Sequence, residues 1–467
     1  QERFQSLLWH DGELAEGNFP KKTLPLMLSS VLQLFFNAAD IIVVGNFAGD
    51  NSLAAVGSTT ALVNLMTNLF LGLSTSANVL TSMFMGAGKN ERVNKTIHTS
   101  IYLSIVSGLI MTVIGVVFAD KLLILMKAPT ETLHLSTLYL RIYFAGMIAM
   151  MIYDFGSSIL RSKGDTKRPL YFLAFAGVIN IILNLIFVIL FKMDVAGVAL
   201  ATVISQCISA FLIIRCLMKE SEPFKFEFKK LKLDTKIAVR ILKIGIPAGF
   251  QGVVFSLSNV VIQSSINSFG PIVMAGSAAA ASIEGFIWVS MNSFSQGALT
   301  FTSQNIGAKK YSRINKITII TCSAVTGLIL GNLAYLFGTP LLSIYDSRPK
   351  VIDAGLIRMG LVCCFYCTCG LMDCIVGNIR GMGYAVTPTI VSLIGACGLR
   401  IIWIFTIFRI PEFHNLHGYL MLPIHEFVLF LSYPVTWVIT FLAHLICYYF
   451  MRKHFPKEDA VIEKNAI

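Results

Sequence analysis

Long apolar runs broken by short polar turns dominate the chain. A run of about 20 such residues crosses the hydrocarbon of a bilayer as a helix. Hydropathy predicts twelve spans. Six fall at about 22–46, 52–82, 97–120, 131–160, 169–191 and 195–218, and six more at about 240–269, 272–303, 313–342, 351–379, 387–410 and 421–451. Most breaks are brief, such as AGDNS, SKGDTKR and GAKKYSR. A longer polar stretch, Lys219–Lys236, is rich in Lys and Glu and lies near the midpoint. It divides the chain into an N-lobe over 1–218, a linker over 219–239, and a C-lobe with its tail over 240–467.

The two halves repeat each other. GAGKNERVNK at 86–95 returns as GAKKYSRINK at 307–316, matching Gly86, Arg92, Asn94 and Lys95 to Gly307, Arg313, Asn315 and Lys316. Arg161, Gly164 and Pro169 return at identical spacing as Arg380, Gly383 and Pro388, with Asp154 and Asp373 seven residues before each arginine. Each half opens with a proline-bearing helix, at Pro25 and Pro247. Six spans is an even number, so the copies enter the membrane in the same direction. Parallel repeats about an axis along the membrane normal are a known transporter design.

Composition agrees with a membrane bundle: 55% of residues are hydrophobic and 13% charged, against about 25% charged in soluble domains. The net charge of +12 is sided. Lys89, Arg92, Lys95, Arg161, Lys163, Lys167, Arg168, the linker lysines, Lys309, Lys310, Arg313, Lys316, Arg380, Arg452, Lys453 and Lys457 fall on alternate breaks. The other breaks hold Lys121, Lys127, Lys192, Arg348, Lys350 and Arg409. Positive residues favour the cytoplasmic side, so both termini and the linker are expected there, in a multi-pass cell-membrane protein. The charge does not argue for nucleic acid, because no RNA-binding motif accompanies it. The opening polar segment, Gln1–Asn18, shows no cleavable signal peptide and is set aside.

Ionisable residues inside spans are costly and are functional candidates by default. Gln33, Asn37 and Asp40 form one polar stripe on the first span. Asp154 lies in the fourth, Glu284 in the eighth and Asp373 in the tenth. Asn180 and Asn184 share a face of the fifth, Asn64 and Asn68 of the second, Gln251 and Ser258 of the seventh, and Glu284, Trp288 and Asn292 of the eighth. Arg400 in the eleventh is expected to pair with a carboxylate or to snorkel to headgroups. Asn64, Asn68 and Ser258 are weighed as interhelical hydrogen-bonding groups, and His425 and His444 as interfacial or packing residues. Cys363, Cys364, Cys367 and Cys369 crowd one apolar stretch without a nearby His. They point in different helical directions, which suits small residues at helix contacts better than a metal cluster. No P-loop, HExxH or GxSxG appears in a fitting context, so an ion or substrate gradient is expected to supply the energy.

LPLMLSSVLQLFFNAADIIVVGNFAG, the GAGK and GAKK loops, RSKGDTKRP and CGLRIIW together resemble the multidrug and toxic compound extrusion (MATE) family over essentially the whole chain. The resemblance implies an all-α molecule of two six-helix lobes in a V, alternating between outward- and inward-open states. It implies export of organic cations or amphipathic drugs in exchange for Na+ or H+, with no organic cofactor and a monomeric state. Asp40 takes the place of the first-span carboxylate linked to coupling, Asn180 resembles the fifth-span asparagine beside it, and Asp373 resembles a tenth-span carboxylate used in some members. Two departures stand out. Asn184 occupies a position where many relatives carry aspartate, and the seventh span has Gln251 in place of an acid, a role Glu284 is placed to assume.

Two couplings stay open. Asp40 takes a proton, or its carboxylate with the Asn180 and Asn184 carbonyls holds Na+ as hard oxygen ligands. Either way ion and cationic drug compete for one negative charge, and each favours a different conformational balance. The alternatives are a flippase for lipid-linked saccharides, which calls for basic cavity residues where these spans read as mainly acidic, and an intramembrane enzyme, for which no nucleophile–base set is found. A receptor or channel lacks support from any pore-like ring of one residue type.

Overall fold

The computed structural model describes residues 18–126, 131–326, 329–410 and 424–456. The opening polar segment, Lys127, the predicted start of the last span at 421–423, and Lys457 lie outside them, as does the side chain of His425. Every regular element among the described residues is a helix. A helix satisfies its own backbone N–H and C=O groups, as a segment in hydrocarbon must.

Among the described residues ten helices are long and apolar enough to span, and two bent pairs, each taken as one span, bring the number to twelve. The first six spans are Asn18–Phe47, Asp50–Gly86, Asn90–Leu125, the pair Leu133–Ala145 and Met147–Ser162, Lys167–Leu190, and Asp194–Met218. The second six are Thr235–Asn267, Pro271–Gly307, Ser312–Leu336, the pair Pro349–Val362 and Tyr366–Gly381, Val386–Arg409, and Ile424–Arg452. The twelve-span, all-α expectation is therefore met.

The repeat is visible in the backbone. The fourth span bends by 47° at Gly146, and the tenth by 43° just after Val362. Gly164 and Gly383, matched in sequence, both take left-handed φ values of 85° and 94°. Gly49 and Gly270, in the same register, take 86° and 92° where the chain turns into the second and eighth spans. Such φ values cost glycine nothing, while a Cβ would be strained. Bends and a π-helical turn at Leu393–Gly398 were not legible in hydropathy, which reads apolarity and not direction.

By internal contact the chain forms two compact units, one up to Phe250 and the other from Gln251 onward. The division falls inside the seventh span, whose first half belongs with the N-terminal unit. A Cβ on Gly72 of the second span would meet the backbone of Gly245 and Gly249. Helices approach this closely only where both faces are small.

The linker folds back as a strap on the N-terminal unit. Phe224 and Phe226 are buried with Val93, Ile97 and Leu217. The Asn94 amide donates to the Glu222 carboxylate (3.0 Å) and to the carbonyls of Pro223 (3.3 Å) and Lys225 (3.2 Å). His98 Nδ1 bonds the Asn94 carbonyl at 2.8 Å, and its Nε2 accepts the Glu227 N–H at 3.2 Å. Glu220 receives Lys163 at 2.6 Å and Arg168 at 2.5 Å. Burial alone would raise Glu220, yet these two cations hold its carboxyl below the ordinary glutamate range.

Candidate binding cavity of the N-terminal lobe

Five of the first six spans enclose a cavity of about 250 Å³. The first span contributes Gln33, Asn37 and Asp40, so the polar stripe seen in the sequence faces it. The second adds Asn64 with Thr59 and Thr67, the fourth Tyr139 and Tyr143, the fifth Asn180, and the sixth Thr202 and Gln206. Asn68, one turn beyond Asn64, is not part of the wall. Beside the cavity the fifth span approaches the first closely, since a Cβ on Gly177 would overlap the Phe36 ring.

The Asp40 carboxylate is the hub. Its Oδ1 accepts the Asn184 amide N–H and its Oδ2 accepts the Thr202 hydroxyl at 3.5 Å. Asn184 also donates to Asn180 Oδ1 at 3.2 Å, and Asn180 donates to Thr202 Oγ1 at 3.4 Å. With its NH2 committed, the Asn184 carbonyl oxygen is buried with no donor. The stacked rings of Tyr139 and Tyr143, 5.9 Å apart, complete the wall beside the carboxylate. Thr202 was missed in the sequence, because a threonine in a helix usually bonds its own preceding turn. It does so here too, to the Val198 carbonyl at 3.0 Å. The stripe Thr202, Ser205, Gln206, Ser209 was the available signal.

The other candidates are dispersed. Asp154 keeps its Oδ2 buried without a hydrogen bond and lies in the field of Arg161. Tyr143 stands in the fields of both Asp154 and Asp40. Asp373 lies in the field of Arg380, and the Arg380 guanidinium donates to Gln251 at 2.7 Å. Trp288 is 46% exposed, and His444 is buried against the Ser392 hydroxyl at 3.0 Å. Cys363, Cys369 and Cys374 are buried while Cys364 and Cys367 are only half-buried.

Two expectations are corrected in the C-terminal lobe. Arg400 does not pair with a carboxylate among the described residues. It donates to Thr436 Oγ1 at 3.2 Å and lies over the Tyr433 ring at 4.2 Å. The pairing falls to Arg358, which the sequence reading passed over: its Nε and Nη2 grip Glu284 bidentately at 2.7 Å each, and its Nη1 donates to Ser277 at 2.6 Å. Glu284 is thus consumed by an internal ion pair and does not stand in for an acid at Gln251. The described spans are therefore not mainly acidic, since Arg358 and Arg400 are both buried. An uncompensated buried ion costs several kcal/mol even after relaxation. Against that, desolvated aromatic faces return about 2 kcal/mol or more and a hydrogen bond from a charged donor roughly 1.5–3 kcal/mol.

The MatE family model matches residues 25–186 and again 247–406, one match per half. The chain is 27% identical to the probable multidrug resistance protein YoeA of Bacillus subtilis over 387 residues, 81% of this chain and 84% of the relative. It is 28% identical to the probable multidrug resistance protein YpnP of the same organism over 396 residues, 83% and 88% of the two chains. Among solved structures its fold matches that of a MOP superfamily transporter from Pyrococcus furiosus, with a TM-score of 0.84, 18% identity, and coverage of 97% and 99%. Twelve spans in two repeated halves, a polar cavity on a first-span aspartate, and a family match over both halves together make this chain a membrane transporter of the MatE family.

Proposed function

We propose that the protein exports amphipathic organic cations as a multidrug antiporter, drawing on a Na+ or H+ gradient through Asp40. The relatives named as probable multidrug resistance proteins support the substrate class. The observation that carries the reading is the Asp40 carboxylate at the wall of a cavity lined by Tyr139 and Tyr143, since aromatic faces and a carboxylate attract cations together. The cavity, about 250 Å³, is below the ~300–1,000 Å³ of drug pockets. It holds an ion with water or one cationic end of a larger ligand.

The same network supports ion exchange. Protonation removes the charge that a cationic drug needs. A Na+ ion instead calls for oxygen ligands, and Asp40, Thr202, Asn180 and Asn184 carry them. Turning the Asn184 amide over would bring its orphaned oxygen toward Asp40, an arrangement that a cation between them favours. Both termini and the strap are assigned to the cytoplasm by the positive-inside rule.

The test is efflux of a fluorescent organic cation from proteoliposomes under a Na+ gradient or a pH gradient imposed separately, with Asp40→Asn alongside. The expected result is gradient-driven efflux that falls at least about a hundredfold in the variant, and the effective gradient names the ion. An Asp40→Asn protein that transports at the wild-type rate removes Asp40 from the mechanism. Failure of both gradients with wild-type protein, reconstitution verified, overturns the antiport reading.

A further inference from the structure

Arg400 is 3% exposed and lies two residues beyond the π-helical turn Leu393–Gly398, a feature that often marks functional positions. Its Nη2 is held by Thr436 and its face is covered by Tyr433, with Trp437 at 5.9 Å. Its Nε is buried with no acceptor among the described residues. The nearby acids are otherwise engaged: Glu284 gives both oxygens to Arg358, and Asp373 lies in the field of Arg380. Glu284 and Arg358 cancel, which leaves the Arg400 charge without a carboxylate partner among the described residues of this lobe. An arginine stays charged when buried, and neither the Thr436 hydroxyl nor the Tyr433 ring supplies a counter-ion.

We propose that the C-terminal lobe binds one small monovalent anion at Arg400, of the halide or carboxylate type, as the counter-charge to that guanidinium. The weakly hydrated, planar donor edge of arginine suits either ligand, and Thr436 and Tyr433 fix its orientation. This site is separate from the Asp40 cavity and does not depend on what that cavity transports.

The experiment is equilibrium binding of radiolabelled chloride to the purified full-length protein in detergent, with gluconate holding ionic strength and acetate as competitor. Saturable binding of one chloride per chain is expected, retained in Arg400→Lys, unchanged in Asp40→Asn, and weakened at least about tenfold in Arg400→Gln. Displacement by acetate extends the site to carboxylates, and its failure restricts the site to halides. Absence of saturable chloride binding and of acetate binding in the wild type overturns the proposal and leaves Arg400 as a cross-link between the eleventh and twelfth spans. Bromide-soaked wild-type crystals give a check that no variant can confuse. Anomalous density beside Arg400 supports the site, and anomalous density elsewhere alone overturns it.

Discussion

In the N-terminal lobe Val63 and Tyr139 stand in the wall of a cavity. In the repeat register, the same places in the C-terminal lobe hold Glu284 and Arg358, which are joined in a buried ion pair. Beside Asn180, Ile181 of the fifth span corresponds to Arg400 of the eleventh. One backbone plan thus carries a single carboxylate at an accessible wall in one lobe, and a set of compensated and uncompensated charges sealed among aromatic rings in the other. Duplication preserved the bends and the turn glycines, which serve the fold. It released the central side chains, which serve the ligand. Charges in the C-terminal lobe should therefore answer mainly to stability, and Asp40 mainly to transport.

The largest effect that would break this contrast is at Glu284. Glu284→Gln leaves Arg358 buried without its partner and should lower unfolding stability by about 3–5 kcal/mol, measured by thermal unfolding in detergent. Replacing both residues by Leu should recover most of that loss, since apolar pairs of similar volume often match a buried ion pair. If Glu284→Gln folds as well as the wild type while transport collapses, the pair belongs to the mechanism and the contrast fails.

Gly177 sharpens the same comparison. Its register partner is Ala396, which already carries a Cβ and is fully buried, whereas at Gly177 that carbon would overlap the Phe36 ring. Gly177→Ala should cost roughly 1–3 kcal/mol by overpacking and reduce the cavity, while Ala396→Gly should cost less, about 1 kcal/mol. Equal costs in the same unfolding assay would show that the two lobes are packed alike there.

A smaller effect is expected at the strap. The Glu220 carboxyl is held below its ordinary value of 4.5, so its stabilisation is complete above that pH and is lost as pH falls through the depressed value. The pair is partly solvated, and about 1 kcal/mol is at stake. Glu220→Gln should remove it at neutral pH and flatten this part of the acid dependence, and added salt should blunt the difference. A variant with an unchanged acid profile would show that the strap is held by Phe224, Phe226 and Asn94 alone.

Smallest in stability is Asp40→Asn. The unused Asn184 oxygen can accept from the new amide after one rotation, so unfolding should shift by less than about 1 kcal/mol even as transport is lost. A large destabilisation would make Asp40 structural and erase the division of labour between the lobes.

The spans, the repeat and the Asp40–Asn180–Asn184 group were legible because a polar residue stands out against twenty apolar neighbours. Their contacts were not. Glu284 and Arg358 are 74 residues apart, and no periodicity links them. Arg400 looked like a partner for an acid because charge alone was visible, while Tyr433 and Thr436 read as ordinary residues of an apolar helix. The bends at Gly146 and after Val362 left no trace in hydropathy, because a bent span is as apolar as a straight one.

The strap has a counterpart at the end of the chain. There the Phe455 ring meets Tyr311 at a tilt with centroids 5.7 Å apart, while from the end of the last span Arg452 donates to the Tyr311 carbonyl at 2.9 Å and Tyr448 donates to Asn315, the register partner of Asn94, at 2.9 Å. Each half is thus closed on its own third or ninth helix by the segment at its own end. A segment that seals each half against itself lets each half close without the other. Two halves encoded separately and expressed together, with the break placed after Lys230, should each retain that closure.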